Sequence, residues 1–341
     1  MKILLIADPG IAVPPTGYGG IERVITSLAR SYSVMGHDVT VFASYGSCIE
    51  GTRSIIHSPI GFPAKKYTVA LALFRVWIHL MIYGSRYDLI QNFGRLANLI
   101  PVWWSSSLKF MCYQRHISQL NIQWATYLRP RRLEWIACAR HLTLQLPQRN
   151  DWKIIPNPFG SNLLKNEVKE GVKSSLVFLG RLDRIKGCHH AIEVSKSLNL
   201  PLTIAGNISK DEKEINYFNS MIVPEIDGVA IQYIGEVDDD QKAELLAQAG
   251  VLLFPVEWDE PFGIVMVEAM SQGTPVIAFN RGSATEVIDQ GITGFVVNTI
   301  EEMKYAIPSA LKLNRALCRQ RAEERFSQQR IAKEYLTFAS Q

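Results

Sequence analysis

The stretch from Val251 to Phe279 constrains the fold more tightly than any other part of the chain. Val251-Leu-Leu-Phe-Pro-Val is short, apolar and β-prone. Glu260-Pro-Phe-Gly-Ile-Val-Met-Val-Glu-Ala-Met follows it, then Gly273-Thr-Pro and Val276-Ile-Ala-Phe. The order is strand, loop, helix, turn, strand, with Gly263 where the helix begins and its first N–H groups lack intrahelical partners. A helix that opens off the end of a buried strand is an anion site. Two carboxylates frame it, Glu260 in the loop and Glu268 farther on, within an apolar helix. A buried carboxylate needs a partner to offset its desolvation. For Glu268 that partner is a lysine or a neighbouring helix cap on one reading, and ribose or sugar hydroxyls on the other.

The same alternation runs through the rest of the chain. Lys2 to Ala7 reads as a first strand, and apolar residues at Ile21, Val24, Ile25, Leu28 and Ala29 give the next segment the helical period. Asp38 to Ala43, Ser54 to His57, Tyr87 to Asn92, Leu108 to Tyr113, Arg131 to Cys138 and Trp152 to Asn157 read as further strands, with a long apolar helix from Lys65 to Tyr83. The pattern restarts with Leu176 to Leu179, Leu202 to Ala205 and Ala230 to Ile234, each closed by a glycine: Gly180, Gly206 and Gly235. Strands separated by helices imply parallel, doubly wound sheets, in which ligands gather at the carboxyl ends of the strands. Arg181 and Lys186 follow one such end; either alone reads as a surface charge, and together on one strand-to-helix loop they suit a diphosphate clamp.

The 341 residues exceed one ordinary core and suit two domains, with Asn157 to Lys173 as the linker. A net charge of +4 without a basic run argues against a nucleic-acid partner. Cys48, Cys112, Cys138, Cys188 and Cys318 stand singly, which favours reduced thiols over a disulfide framework or a zinc site. The opening Met1-Lys-Ile-Leu-Leu-Ile-Ala run stops at Asp8-Pro9, too short for a signal peptide. Val69 to Tyr83 is interrupted by Arg75 and His79 and is expected to fall short of a membrane span.

Two features, the acidic triplet and the paired histidines, point elsewhere and are set aside, and two others are bounded. The glycine-rich turn from Pro9 to Gly20 is neither a dinucleotide fingerprint, because Glu22 stands where the third glycine belongs, nor a P-loop, because no Gly-Lys-Ser/Thr follows. Asp238-Asp239-Asp240 before Gln241 reads as a helix N-cap with an acidic first turn, not as a metal motif. His189-His190 has no partner at metal spacing in the sequence. Trp103 and Trp104 are core or, near Lys109, a lipid or acceptor platform.

Taken together, Gly19-Gly20-Ile-Glu-Arg-Val, Ile155-Pro-Asn157, Gly180-Arg-Leu-Asp-Arg-Ile-Lys-Gly, Glu260 with Glu268 as Glu-x7-Glu, Gly273-Thr-Pro-Val, Arg281-Gly-Ser, Gly291-Ile-Thr-Gly-Phe and the closing Arg325 to Tyr335 helix resemble the retaining glycosyltransferases of family 4. The resemblance implies the α/β GT-B fold, two Rossmann-like doubly wound parallel-sheet domains facing a central cleft. An acceptor-binding domain would span residues 1–165 and a nucleotide-sugar domain residues 166–324, with the helix from about 325 to 341, Phe326 included, packing back on the first. It further implies that Gly19 and Gly20 offer backbone to the donor diphosphate while Arg181 and Lys186 neutralise it. Glu260 would hold hydroxyls of the transferred sugar beside Phe262, Gly263 and Ile264, and Glu268 the ribose. The base would lie near Gly206, Glu236 and Val237. Many members carry an active-site histidine at a first-domain strand end, where this chain reads Tyr113-Gln114-Arg115-His116, so Gln114, Arg115 and His116 share that expectation.

The implied activity is metal-independent, retaining transfer from a nucleotide sugar, a UDP-sugar, to a hydroxyl acceptor in cell-surface polysaccharide or glycoconjugate assembly. No cofactor is expected, the nucleotide sugar being a substrate. A sugar-nucleotide epimerase of similar fold and a non-catalytic transferase-like binding subunit are the alternatives. The acceptor, a saccharide or a lipid-linked one, is expected on the first domain, where Lys65-Lys66, the aromatic-rich helix and the paired tryptophans suit peripheral contact with a membrane. The location expected is cytoplasmic, or peripheral on the inner face of the cell membrane.

Overall fold

The computed structural model describes the chain except residues 16, 18, 58–65, 145, 147–151, 161–162, 164–167 and 169–173. Lys65 and most of the segment read as a linker lie outside the described residues. The chain divides into two compact units, Met1–Pro158 with Gln328–Gln341, and Phe159–Ser327.

The first unit runs β1 (Lys2–Ile6), α1 (Gly20–Val34), β2 (Asp38–Ala43), β3 (Arg53–Ile56), α2 (Lys66–Tyr83), β4 (Leu89–Asn92), β5 (Leu108–Tyr113), α3 (Gln119–Leu128), β6 (Leu133–Ala137) and β7 (Trp152–Ile154). Its seven strands lie in the order β3-β2-β1-β4-β5-β6-β7, every pairing among the described residues being parallel. Ile3 sits opposite Val39 on one side and Leu89 on the other. A parallel sheet covered on both faces needs continuous apolar strands, and Ile3, Leu4, Leu5 and Ile6 are all fully buried.

The second unit runs β8 (Leu176–Leu179), α4 (Cys188–Leu198), β9 (Leu202–Ala205), α5 (Glu212–Tyr217), β10 (Ile231–Tyr233), α6 (Asp239–Gln248), β11 (Val251–Phe254), α7 (Ile264–Ser271), β12 (Val276–Phe279), α8 (Ala284–Val287), β13 (Gly294–Val297), α9 (Ile300–Ala310) and α10 (Arg315–Phe326). Its six-stranded sheet has the order β10-β9-β8-β11-β12-β13 and is again parallel. Asp238 caps α6 in a reciprocal box with Gln241, so the acidic triplet is a helix start as its sequence context predicts.

The last helix, α11 (Gln328–Ala339), belongs with the first unit. Its Tyr335 is buried beside Phe110, ring centroids 6.3 Å apart, and Phe338 stacks on the same ring at 5.2 Å. Phe326 does not travel with it. That ring packs on Phe262 at 6.0 Å inside the second unit, so the crossing begins at Gln328.

Two expectations about the first unit change. The helical segment Tyr67–Arg86 has 20 residues and a mean hydropathy of 1.4, so by length and composition it is enough to cross a membrane. Only 22% of that window is buried, and Ala72, Val76 and Leu80, spaced one turn apart, make the stripe that meets the sheet. The paired tryptophans also separate: Trp103 is core, whereas Trp104 is exposed. Lys109 joins neither. It is fully buried on β5, and its Nζ donates to the carbonyls of Val102 and Ser105 at 3.0 Å each, with burial lowering its pKa to about 8.

Candidate functional site

The strand order creates a switch point in each sheet, because β1 is flanked by β2 and β4, and β8 by β9 and β11. Connections leaving adjacent strands there diverge to opposite faces and open a crevice at the carboxyl ends. In the second unit this makes neighbours of the loop after β8, carrying Arg181 and Lys186, and the loop after β11, carrying Glu260.

Bare backbone lets these loops approach. A Cβ on Gly206 would lie 1.8 Å from the Gly180 carbonyl oxygen, and one on Gly187, whose φ is 74°, would lie 2.0 Å from that of Pro255. Both contacts are closer than any side chain tolerates. The N–H of Glu257 then donates to the Ile185 carbonyl at 2.8 Å, fastening the loops together.

Lys186 Nζ meets Glu260 Oε2 at 2.5 Å, each side chain only 15% exposed. The indole N–H of Trp258 donates to the same oxygen at 2.8 Å, and the ammonium lies 5.0 Å from the Trp258 ring centroid. Arg181 forms an ion pair with Asp183 at 2.8 Å. Burial pushes the Asp183 carboxyl above its ordinary value, with Arg181 opposing the shift. The Glu260 backbone is fixed as well, since its carbonyl accepts from the Ser283 N–H at 3.2 Å and Ser283 Oγ donates to the Phe262 carbonyl at 2.7 Å. Gly263, with φ 71°, then turns the chain into α7, so Ile264 heads the helix and its free N–H groups open just beyond Glu260.

Glu268 is buried on α7 and already has a partner. Lys242 Nζ of α6 lies 2.5 Å from its Oε1 and 3.2 Å from Asp239. Of the two sequence readings, the lysine is present, and a ribose would have to share this carboxylate with it. Gly206 and Gly235 also come together, the N–H of Gly206 donating to the Gly235 carbonyl at 2.8 Å. Beyond that turn Glu236 is exposed and Val237 half-buried.

Within the first unit, Gly19 and Gly20 open α1, where a Cβ on Gly19 would meet Pro15 at 2.7 Å. After β5 the three candidates part company. Gln114 is buried, Arg115 forms an ion pair with Asp8 at the end of β1, and His116 is exposed. Burial raises the pKa of the Glu22 carboxyl on α1, with Asp8 adding to the rise and Arg115 opposing it. Of the three, Arg115 is the residue that pairs with Asp8, while His116 is exposed.

Sequence reasoning missed Trp258, Lys242, Asp183 and Ser283. Trp258 and Asp183 stand two residues from named site residues, Glu260 and Arg181, a proximity that could have flagged them. Lys242 falls on the apolar side of α6 with Ala243 and Leu246, where a lone charge signals a buried partner. His189-His190 also has a partner after all: Glu257, distant in sequence, lies 2.8 Å from His190 Nε2.

A family described as glycosyl transferases group 1 matches residues 162–329. A protein of Bacillus subtilis named "Putative glycosyltransferase YtcC" is 31% identical over 335 residues, covering 88% of this chain and 80% of that protein. An uncharacterised 41.2 kDa protein in the cps region of Klebsiella pneumoniae is 34% identical over 137 residues. That match covers 39% of this chain and spans only 35% of the Klebsiella protein's own length. Among solved structures, Anabaena Alr3699/HepE in complex with UDP and glucose is similar with a TM-score of 0.75 at 20% identity, covering 100% of this chain and 99% of that one. At that identity the likeness speaks for the fold, which is GT-B.

Proposed function

The chain belongs to the group 1 glycosyl transferases, and from that premise we propose that it is a retaining, family 4 type transferase. It moves a hexosyl group from a UDP-sugar to a hydroxyl acceptor in cell-surface polysaccharide or glycoconjugate assembly. The observation that carries this reading is the Lys186–Glu260 pair at the β8/β11 switch point, beside the start of α7.

Departure of a nucleoside diphosphate builds negative charge on its phosphates and positive charge at the anomeric carbon. Lys186, Arg181 and the α7 N-terminus supply fixed positive potential for the first. An arriving diphosphate would draw Lys186 from Glu260, whose freed carboxylate oxygen could accept sugar hydroxyls while Trp258 holds the other contact. Glu268 would take the ribose, and the Gly206 and Gly235 turns with Glu236 and Val237 would receive the base. The acceptor hydroxyl would attack on the face the diphosphate leaves, with a phosphate oxygen taking the proton. These steps invoke no cofactor.

The first unit would bind the acceptor, and the apolar exposed side of α2, which carries no acidic residue, suits a peripheral position on the cytoplasmic face of a membrane. Thermal unfolding with UDP, GDP, ADP and dTDP and their common sugar conjugates tests the donor class. Ligand at about 100 times its Kd adds about 2.7 kcal/mol, so a selective upward shift in Tm with UDP and its sugars is expected. No shift with any nucleotide would remove the reading.

A further inference from the structure

Three metal-ligating side chains converge next to the donor loops, separate from the residues assigned to the reaction. His189 and His190 lie in the first turn of α4, and Glu257 follows β11. Glu257 Oε1 is 3.3 Å from His189 Nε2 and 2.8 Å from His190 Nε2. The imidazole centroids are 4.0 Å apart, and one ligand atom from each residue falls within 4.8 Å of the other two.

We propose that His189, His190 and Glu257 bind a divalent first-row transition cation of the zinc class. Nitrogen and carboxylate ligands lie about 2.0–2.2 Å from such an ion, and two ligands at that distance in a tetrahedron stand roughly 3.3–3.5 Å apart. The His189 spacing already fits, and the His190 spacing needs only a small displacement of Glu257, whose side chain is 35% exposed and can move. Two imidazoles and one carboxylate leave a fourth position for water. Magnesium and calcium prefer all-oxygen shells and do not suit this set.

The surroundings are already organised for ligation. His189 Nδ1 lies 2.9 Å from the Tyr217 hydroxyl, which also accepts the His189 backbone N–H at 3.2 Å. With Tyr217 accepting the Nδ1 proton as well, the Nε2 lone pair faces the ion, as an outer partner does for a metal-bound histidine. The Gly187 approach to Pro255 and the Glu257 to Ile185 hydrogen bond fix the two backbones that carry the ligands. The positive end of α4 and the nearby Arg184 oppose a cation, so binding rests on the ligand set.

The bound ion would tie the loop bearing Lys186 to the loop bearing Glu260 without touching a reacting group. It would stiffen the site rather than take part in transfer, and it does not depend on the transferase reading.

The test is titration of the EDTA-stripped full chain with CoCl2, followed by visible d–d absorbance, and with ZnCl2, followed by thermal unfolding. One equivalent of cobalt with nitrogen and oxygen character and a rise of several degrees with zinc are expected. Affinity should fall tenfold or more in His190→Gln and in Glu257→Gln, and to a lesser extent in Tyr217→Phe with the stoichiometry kept. Circular dichroism checks folding, and Glu257→Gln carries the test if the histidine variant is misfolded. Undiminished binding in the variants, a thiolate charge-transfer band in place of the expected spectrum, an equal response to MgCl2, or no binding would each overturn the site.

Discussion

Lys242 Nζ and Glu268 Oε1 lie 2.5 Å apart in the second unit, with side chains only 9% and 8% exposed. Removing one member of so buried a pair strands the other charge, a loss of about 3–5 kcal/mol. Lys242→Ala should therefore lower the urea midpoint strongly, whereas the double change Lys242→Met with Glu268→Leu should recover most of it. An equal loss in both proteins would show that packing, not charge, holds α6 on α7.

Lys186→Ala should reduce turnover by roughly 10²- to 10³-fold, the usual effect of losing a fixed donor to developing charge. Trp258→Phe keeps an aromatic ring but removes the N–H donated to Glu260, and its effect should be smaller, about tenfold. Steady-state release of the nucleoside diphosphate from the donor sugar reads both. Near-normal turnover of the lysine variant would end the clamp assignment.

Gly187 cannot accept a side chain without moving Pro255, because the added Cβ would overlap that carbonyl at 2.0 Å and the backbone is left-handed. Gly187→Ala should cost about 1–2 kcal/mol for the left-handed conformation alone, with a further loss from overlap. Calorimetry should show the lower Tm, and nucleotide affinity should fall because the β8 and β11 loops separate. By contrast Gly228→Ala, where no atom lies within 4 Å of the added carbon, should pay only the conformational cost.

His57 is buried, among the described residues both its ring nitrogens lack a hydrogen-bond partner, and burial, with Arg75 adding, lowers its pKa to about 4. An unfolded chain protonates this ring near pH 6.5, so between those values the unfolded state binds more protons and stability rises with pH. The contribution is complete above about pH 6.5 and is lost as the pH falls toward 4. His57→Leu should flatten the unfolding free energy across that window. A slope unchanged by the substitution would place the acid sensitivity elsewhere.

The outer side of α2 exposes Leu71, Phe74 and Met81, and Trp104, whose ring meets that of Trp103 edge-on, is exposed as well. Vesicles containing anionic lipid should bind the protein at low salt, and Leu71→Ser with Phe74→Ser should weaken that binding about tenfold or more. Sedimentation with vesicles measures it. Equal binding of parent and variant would remove α2 from the contact.

The sequence alone determined the elements and their local closures. The bounds of β2, β5, β8, β9 and β12 follow from apolar runs cut by glycine or polar residues, and the Asp238 cap follows from side chains three residues apart. Such features depend on neighbours along the chain, so their signal is in the order of residues. The tertiary structure decided which loops meet. Lys186 reaches Glu260 across 74 positions, His190 reaches Glu257 across 67, and Lys242 reaches Glu268 across 26. Setting β8 beside β11 is a choice of strand order that no local pattern encodes. The same order buried Lys109 and left Arg115, not His116, beside Asp8. Those partners follow from packing two faces of a parallel sheet rather than from the spacing of residues along it.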